Sequence, residues 1–479
     1  MQYKYVVLTN TTIGAFMAVL DANIVLIALP TITQDLHASP FDAVWIIMGY
    51  ILVNATLLLT FGRLSDIFGR VKLYNLGFAL FTVGSALCSL ATDGTSLVLF
   101  RLVQGTGGAL IFSNAAALLT DVFPATERGR ALGFNQVAGT FGSVSGLALG
   151  GILAGSFLGW RSIFWINIPF GAFATAWAYL KLKETSVPRR GEKLDPVGNI
   201  LFGLGLALGL LGLTLGALTG WSPALIGAMA AGVLCIGAFV YAEAKVRFTM
   251  MDLTLFKIRA FTSGMASNLM ASMSRGALSL VLVFYFQGVL QLDAFSAGLM
   301  LMPFSIAFVT VGPLSGYLSD RYGSRTFATA GLLVTAVALF WFGLLPFGDY
   351  SHLAAPMVIA GVGGGMFVAP NIASIMNATP AERRGVASGM SSTLINAGFL
   401  LSLGIAFVIM AGSVPVSTLQ SIFAGSTAPI PILVLDSFVA ALHGIFLLMG
   451  FVSLFAAVPA FMARKTGPKY EIAGSEGVE

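Results

Sequence analysis

The chain has 479 residues, of which 57% are hydrophobic and only 9% charged, with a formal net charge of +5. A soluble domain carries about 25% charged residues, so this composition excludes an ordinary water-soluble fold. The positive excess does not point to nucleic acid, because no basic stripe is interleaved with aromatic platforms.

Apolar runs long enough to cross a bilayer need about 20 residues. Fourteen occur, at 6–29, 43–61, 73–91, 97–119, 131–153, 162–180, 198–219, 223–242, 261–287, 295–317, 327–346, 353–375, 386–411 and 436–462. The first follows Lys4 like a signal peptide. It runs past Asp21 to Leu29 without a small-residue cleavage site, so it reads as an uncleaved span. Only helices or closed barrels cross lipid, and these runs are too long and too evenly apolar for barrel strands. An all-α membrane protein is expected.

The basic residues alternate with the spans. Lys4; Arg63, Arg70 and Lys72; Arg128 and Arg130; Lys181, Lys183, Arg189, Arg190 and Lys193; Lys245, Arg247, Lys257 and Arg259; Arg321 and Arg325; Arg383 and Arg384; and Arg464, Lys465 and Lys469 occupy the termini and every second gap. The intervening gaps hold only Arg161. Short cytoplasmic loops retain Lys and Arg, so both termini are expected in the cytoplasm of a multi-pass protein of the cell membrane.

An internal repeat divides the chain. GRLSDIFGR at 62–70 resembles GYLSDRYGSR at 316–325, with Gly62, Asp66 and Gly69 mapping onto Gly316, Asp320 and Gly323 at an offset of 254. TERGRALGF at 126–134 resembles AERRGVASGM at 381–390, with Glu127 mapping onto Glu382. The expected organisation is a six-helix half at 1–182, a cytoplasmic linker at 183–197, two extra helices at 198–245, a second half at 246–464 and a cytoplasmic tail at 465–479. Parallel repeats of this kind place a substrate site at mid-membrane between the halves. The extra pair carries no charge before Glu243 and reads as a lipid-facing spacer. The uncharged stretch 412–435 has no readable role.

Asp21 is the one acidic residue placed well inside a span. A carboxylate there is costly and usually faces a cavity, where alternating exposure lets it bind and release a proton. The alternative is a permanent ion pair. Arg101 is its candidate partner, since Asp21 lies about 13 Å below Pro30 and Arg101 about 8 Å below Ser96. Arg101 could equally snorkel to the headgroups. Arg275 sits about 21 Å along its helix, near the midplane. It could line the cavity and attract an anionic or zwitterionic substrate, tune Asp21, or pair with backbone carbonyls. Asn23, Gln104, Gln136 and Asn268 are polar candidates for the substrate cavity, and Tyr285 offers it an aromatic wall. Polar residues inside spans also serve as glue between helices. Asp66, Arg70, Glu127, Arg128, Asp320 and Glu382 lie in basic loops beside helix ends, where acids and bases complement helix dipoles. Gly62 and Gly69 permit tight turns there. Gly142, Gly146, Gly150 and Gly151 form a stripe for close helix packing.

Four motifs carry a family resemblance. GRLSDIFGRVK at 62–72 is similar to the loop after helix 2 of the major facilitator superfamily, and RLVQGTGGA at 101–109 to its fourth-helix motif. AVLDANIVLIALP at 18–30 and GWRSIFWINIPFG at 159–171 resemble the helix 1 and helix 6 hallmarks of its fourteen-spanner drug:proton antiporter family. The resemblance covers the whole chain. It implies the major facilitator fold with two extra central helices, a proton-transfer role for Arg101, and a cytoplasmic gate built from the loop charges. It also implies a monomer that binds small molecules and protons within the bilayer. One departure stands in helix 5, where Leu147 replaces the proline of the family's Gly-Pro pair.

Other chemistry is not visible. No phosphate-binding loop, nucleophile elbow or Cys/His metal spacing occurs, so neither an enzyme nor a cofactor or metal site is expected and a proton gradient is the expected energy source. The leading expectation is export of amphipathic drugs or other small molecules by alternating access. Proton symport of an organic anion or nutrient inward is the alternative. A non-transporting sensor would need a soluble signalling domain, which the sequence does not show.

Overall fold

The computed structural model describes residues 2–184, 195–245, 250–344, 346, 350–380, 383–424 and 432–463. Within these, the side chains at 125, 126, 128, 129, 136, 320, 351 and 432 are not described. Most of the expected linker, the tail and Glu382 therefore lie outside the described residues, as do the side chains of Arg128, Gln136 and Asp320.

Among the described residues, 14 helical segments are long and apolar enough to cross a membrane. The first half holds α1 (Tyr3–Asp35), α2 (Pro40–Phe68), α3 (Arg70–Ser89), α4 (Gly94–Val122) and α5 (Ala125–Ala154). Its sixth span is broken into α6 (Ser162–Trp165) and α7 (Asn167–Lys181). The extra pair is α8 (Pro196–Thr219) and α9 (Pro223–Glu243). The second half opens with α10 (Arg259–Gly276), α11 (Leu278–Val283) and a π-helical turn at Phe284–Val289, which together make one span. It continues with α12 (Ala294–Tyr322), α13 (Ser324–Leu344), α14 (Tyr350–Ala378), α15 (Arg384–Ser413), the short α16 (Val416–Phe423) and α17 (Ile432–Met462).

The helices extend beyond the apolar runs because polar caps, not the loss of hydrophobicity, end them. Ser39 and Asp42 form a reciprocal capping box at α2, and Asp93 and Ser96 form one at α4. The Ser96 amide bond, then the Thr92 hydroxyl, hold the Asp93 carboxyl below its usual range. Asp293 caps α12 and is lowered in the same way, chiefly by Ser296. The repeat is visible in the backbone: Gly69 and Gly323, ending α2 and α12, have φ of 108° and 93°, a region that favours glycine.

The Lys- and Arg-rich loops gather on one face, called here the basic face. The halves join at the opposite, far face, and α2 also meets α15 nearer the basic face, where a Cβ on Gly389 would lie 2.5 Å from Leu59. One hydrophobic core at the far face combines Ile24–Ile32 of α1, Ala43–Met48 of α2, Leu280–Phe286 of the α11 span, and Leu403–Met410 of α15. Gln287 donates to the Ile27 carbonyl at 2.9 Å across the halves. The glycine stripe of α5 splits by role. A Cβ on Gly142 or Gly146 would lie 2.6 or 2.7 Å from a carbonyl oxygen of α1, and Gly150 faces the same helix. Gly151 turns to the second half, where its Cβ would lie 2.6 Å from the Ala294 carbonyl of α12.

Two segments differ from expectation. α8 is not a lipid-facing spacer: it lies between α2 and α15 and so touches both halves. Trp45 donates to Thr214 at 3.1 Å, Asn199 donates to the Thr56 carbonyl at 2.7 Å, and Leu210 and Leu213 lie beside Gly404. Its uniformly apolar sequence hid this, because lipid and a protein groove demand the same side chains. α9 is the lipid-facing member, largely exposed. Within the uncharged stretch, α16 buries Leu419, Ile422 and Phe423 against the far-face core, with Phe423 stacked on Phe284 at 3.9 Å between ring centroids.

Gly151→Val should push α5 from α12, an overpacking cost of about 1–3 kcal/mol. Spin labels on the far ends of these helices should move apart; an unchanged distance distribution would show that this contact does not hold the far face shut.

Candidate functional site

The centre of the first half is a closed polar network around Asp21, which is 0% exposed. α1 and α4 cross at a depth where a carboxylate cannot be hydrated, so each oxygen must be met by protein. Arg101 Nη1 lies 2.5 Å from Asp21 Oδ2. Gln104 Nε2 and Asn167 Nδ2 donate to Oδ1 at 2.8 and 2.7 Å.

Arg101 and Gln104 are themselves fixed. Arg101 donates through Nε to the Ile46 carbonyl at 3.1 Å and through Nη1 to Gln104 Oε1 at 2.6 Å. Its guanidinium stands 4.3 Å from the centre of the Tyr50 ring, a cation–π contact. The second Gln104 amide proton goes to Ser85 Oγ at 2.8 Å. Five spans thus converge: α1 gives Asp21, α4 gives Arg101 and Gln104, α3 gives Ser85, α7 gives Asn167, and α2 gives the Ile46 carbonyl and the Tyr50 ring. The break between α6 and α7 brings Asn167 to its partner, and a small apolar crevice lined by Phe16, Met17, Leu20, Leu149, Ile166 and Phe170 also reaches Asn167.

The other sequence candidates are distributed. Gln104, expected in the substrate cavity, belongs to the Asp21 network. Asn23 donates to its own helix at Val19, 2.8 Å away, and lies beside Gly146. Asn268 joins α10 to α15 through Ser391 at 2.8 Å. Tyr285 is buried in the far-face core. Arg275 stands in α10 with its guanidinium 5.9 Å from the Phe308 ring and 5.7 Å from the Phe367 ring.

At the basic face, Arg70 binds Asp66 at 2.8 Å and Asp121 at 2.5 Å. Lys4 binds Glu127 at 2.6 Å, and Arg383 binds Asp252 at 2.8 Å. Among the described residues each of these pairs stays within one half, so the gate charges form no latch between halves here. Gly62 has open space where a Cβ would be. Beside Gly69, Glu184 accepts from the Arg70 and Val71 amides at 3.1 and 3.0 Å and so caps α3.

Sequence reasoning missed Asn167, Ser85, Asp121 and Glu184. Asn167 could have been found, since it is the one amide in the hallmark GWRSIFWINIPFG. Ser85 had no signal, because serine is common in spans.

Two pseudo-equivalent helical halves, the first with a buried charged network at its centre, define a multi-pass membrane carrier. The Major Facilitator Superfamily model matches residues 11–403 and 264–477, and the chain belongs to that superfamily. It is 32% identical over 408 residues to the riboflavin transporter RibZ of Clostridioides difficile, covering 85% of this chain and 88% of that protein. It is 29% identical over 499 residues to the tetracenomycin C resistance and export protein of Streptomyces glaucescens, covering 96% and 92%. In fold it resembles the crystal structure of an auto-inhibited POT family peptide transporter, with a TM-score of 0.69 at 16% identity over 98% of each chain.

Removing one member of the network leaves a buried charge uncompensated. Asp21→Asn should lower stability by about 3–5 kcal/mol, and Asp21→Asn with Arg101→Gln should recover a large part. Thermal unfolding in detergent measures both; equal destabilisation by the single and double variants would mean the pair is not coupled.

Proposed function

We propose that this protein is a proton-driven exporter of amphipathic small molecules, working by alternating access as a monomer without cofactor or metal and catalysing no reaction. The observation that carries this is the Asp21 carboxylate, fully buried at mid-span and held by three side chains that can be released. The basic face is taken as cytoplasmic on the positive-inside rule, which puts both termini inside the cell membrane.

Protonation of Asp21 removes its charge and frees Arg101 and Asn167. Arg101 then retains Ile46, Gln104 and Tyr50, all on α2 and α4, while α1 loses its charged tie and keeps the 3.4 Å hydrogen bond from the Tyr50 hydroxyl to the Ala18 carbonyl. α1 also carries the far-face contact at Ile27 and the glycine contacts of α5. A proton from outside can therefore bias the relative placement of the halves, and cargo entering from the basic face biases it back. Each charge crossing 100 mV contributes about 2.3 kcal/mol, enough for a gradient of nearly fiftyfold. In the opposite state Asp66, Arg70, Glu127, Arg128, Asp320 and Glu382 would close the cytoplasmic side, with Gly62 and Gly69 allowing close approach. The relative named as an export protein supports the direction.

A second reading is proton symport inward. Leu147 in place of the helix 5 proline and the relative named as a riboflavin transporter favour it.

In proteoliposomes with an imposed pH gradient, a substrate panel should reveal uphill movement of cargo opposite to the proton. Asp21→Asn should abolish uphill movement and leave at most downhill exchange. Full accumulation by Asp21→Asn would remove the energy source assigned here, and protons moving with the cargo would establish the second reading.

A further inference from the structure

Subtracting the repeat offset from Arg275 gives 275 − 254 = 21, so Arg275 holds the place in the second half that Asp21 holds in the first. The sign of the charge is reversed. The fourth helix of the second half, α14 (Tyr350–Ala378), stands 256 residues after α4 (Gly94–Val122), so the place of Arg101 in the second half is Met357. The first half thus supplies both members of an ion pair, whereas the second supplies a cation and no counter-charge. Among the described residues Arg275 makes no ion pair. Among the described residues that follow it, Asp293 caps α12, and Asp320 and Asp436 stand toward helix ends.

What surrounds Arg275 is suited to a planar anion. Its Nε donates to the Ala271 carbonyl of its own helix at 3.2 Å. Phe308 of α12 and Phe367 of α14 lie beside the guanidinium. Nη1 lies against Gly364, where a Cβ would be only 2.8 Å away, so the glycine keeps that edge clear. The side chain is half-buried, not sealed as Arg101 is. A guanidinium offers two parallel donors to a carboxylate, and the match is strongest where water is scarce.

Resting on the transport reading above, we propose that Arg275 is an anion-binding group of the cargo site and that the cargo is an aromatic or otherwise amphipathic carboxylate. The ligand supplies the counter-charge that Met357 does not, its carboxylate meeting the guanidinium edge and its apolar body lying against Phe308 and Phe367.

The test is binding to the purified full chain in nanodiscs, with no gradient present. The probes are benzoate, salicylate and 1-naphthoate, each beside its uncharged carboxamide. At least one carboxylate should bind wild type more tightly than its amide, and Arg275→Gln should weaken it about tenfold or more. Arg275→Lys should retain part of the preference, and amide binding should be unchanged. Unliganded Arg275→Gln should be as stable as wild type or more so, because an uncompensated charge has been removed. If no carboxylate distinguishes wild type from Arg275→Gln, or if the ligand-free variant is markedly destabilised, Arg275 is a structural residue and the proposal fails. Binding that persists in Asp21→Asn while uphill transport is lost separates this site from the proton reading.

Discussion

A carboxylate at mid-membrane depth must be met atom by atom, and the arrangement of the first half follows from that requirement at Asp21. Two oxygens need donors that water cannot supply. Arg101, Gln104 and Asn167 meet them; Ile46 and Tyr50 in turn fix Arg101, and Ser85 fixes Gln104. Five helices are thereby placed relative to one another by one charge. Such a network is a weak way to add stability, since well-packed hydrophobic residues often do as well. Its merit is that the charge at its centre can be removed by a proton, after which the five helices share no common tie.

The glycine stripe shows how the rest of the fold is prepared for that change. Gly142, Gly146 and Gly150 bring α5 onto the backbone of α1, so these two helices move as a unit. Gly151, at the end of the same stripe, meets α12 of the other half. On the proposed reading, a displacement of α1 on protonation would be carried by α5 to the far-face contact between halves. Packed surfaces of this kind have discrete arrangements and do not deform smoothly. At the basic face the ion pairs among the described residues stay within their own halves, and Leu59 of α2 against Gly389 of α15 is an apolar contact between them. α8, lying against both α2 and α15, is positioned to move with this seam.

The fourteen spans, the repeat and the pairing of Asp21 with Arg101 were legible in the sequence because each has a one-dimensional signature: run length, a fixed offset, and a lone charge at matching depth. Asn167 and Ser85 were not legible as partners, since which amide or hydroxyl completes a buried network is decided by how helices rotate against one another. The same reason explains Asn23 and Asn268, which resemble cavity residues in sequence but bond within or between neighbouring helices. α8 and α16 were hidden differently. Neither carries charge, and an apolar residue facing lipid looks like one facing a groove. Arg275 was visible as an isolated charge, but its relation to Asp21 emerges only when both are placed on the same helix of the two repeats.

That relation bears on energetics. On the proposed reading Asp21 and Arg101 compensate each other in the first half, whereas Arg275 leaves the second half with a net positive charge at membrane depth until cargo binds. A carboxylate cargo brings it to neutrality and lessens the cost of crossing the low-dielectric interior. Within one conformation such an anion also favours a proton on Asp21, by Coulomb attraction. Exchange in opposite directions therefore requires that the two be bound in different conformations, which the sealing of Asp21 away from water in the present state permits. In an inside-negative membrane, outward movement of the anion and inward movement of the proton both run down the electrical gradient, whereas carrying both inward moves no net charge. The same pair of residues thus makes export the direction in which membrane potential contributes most.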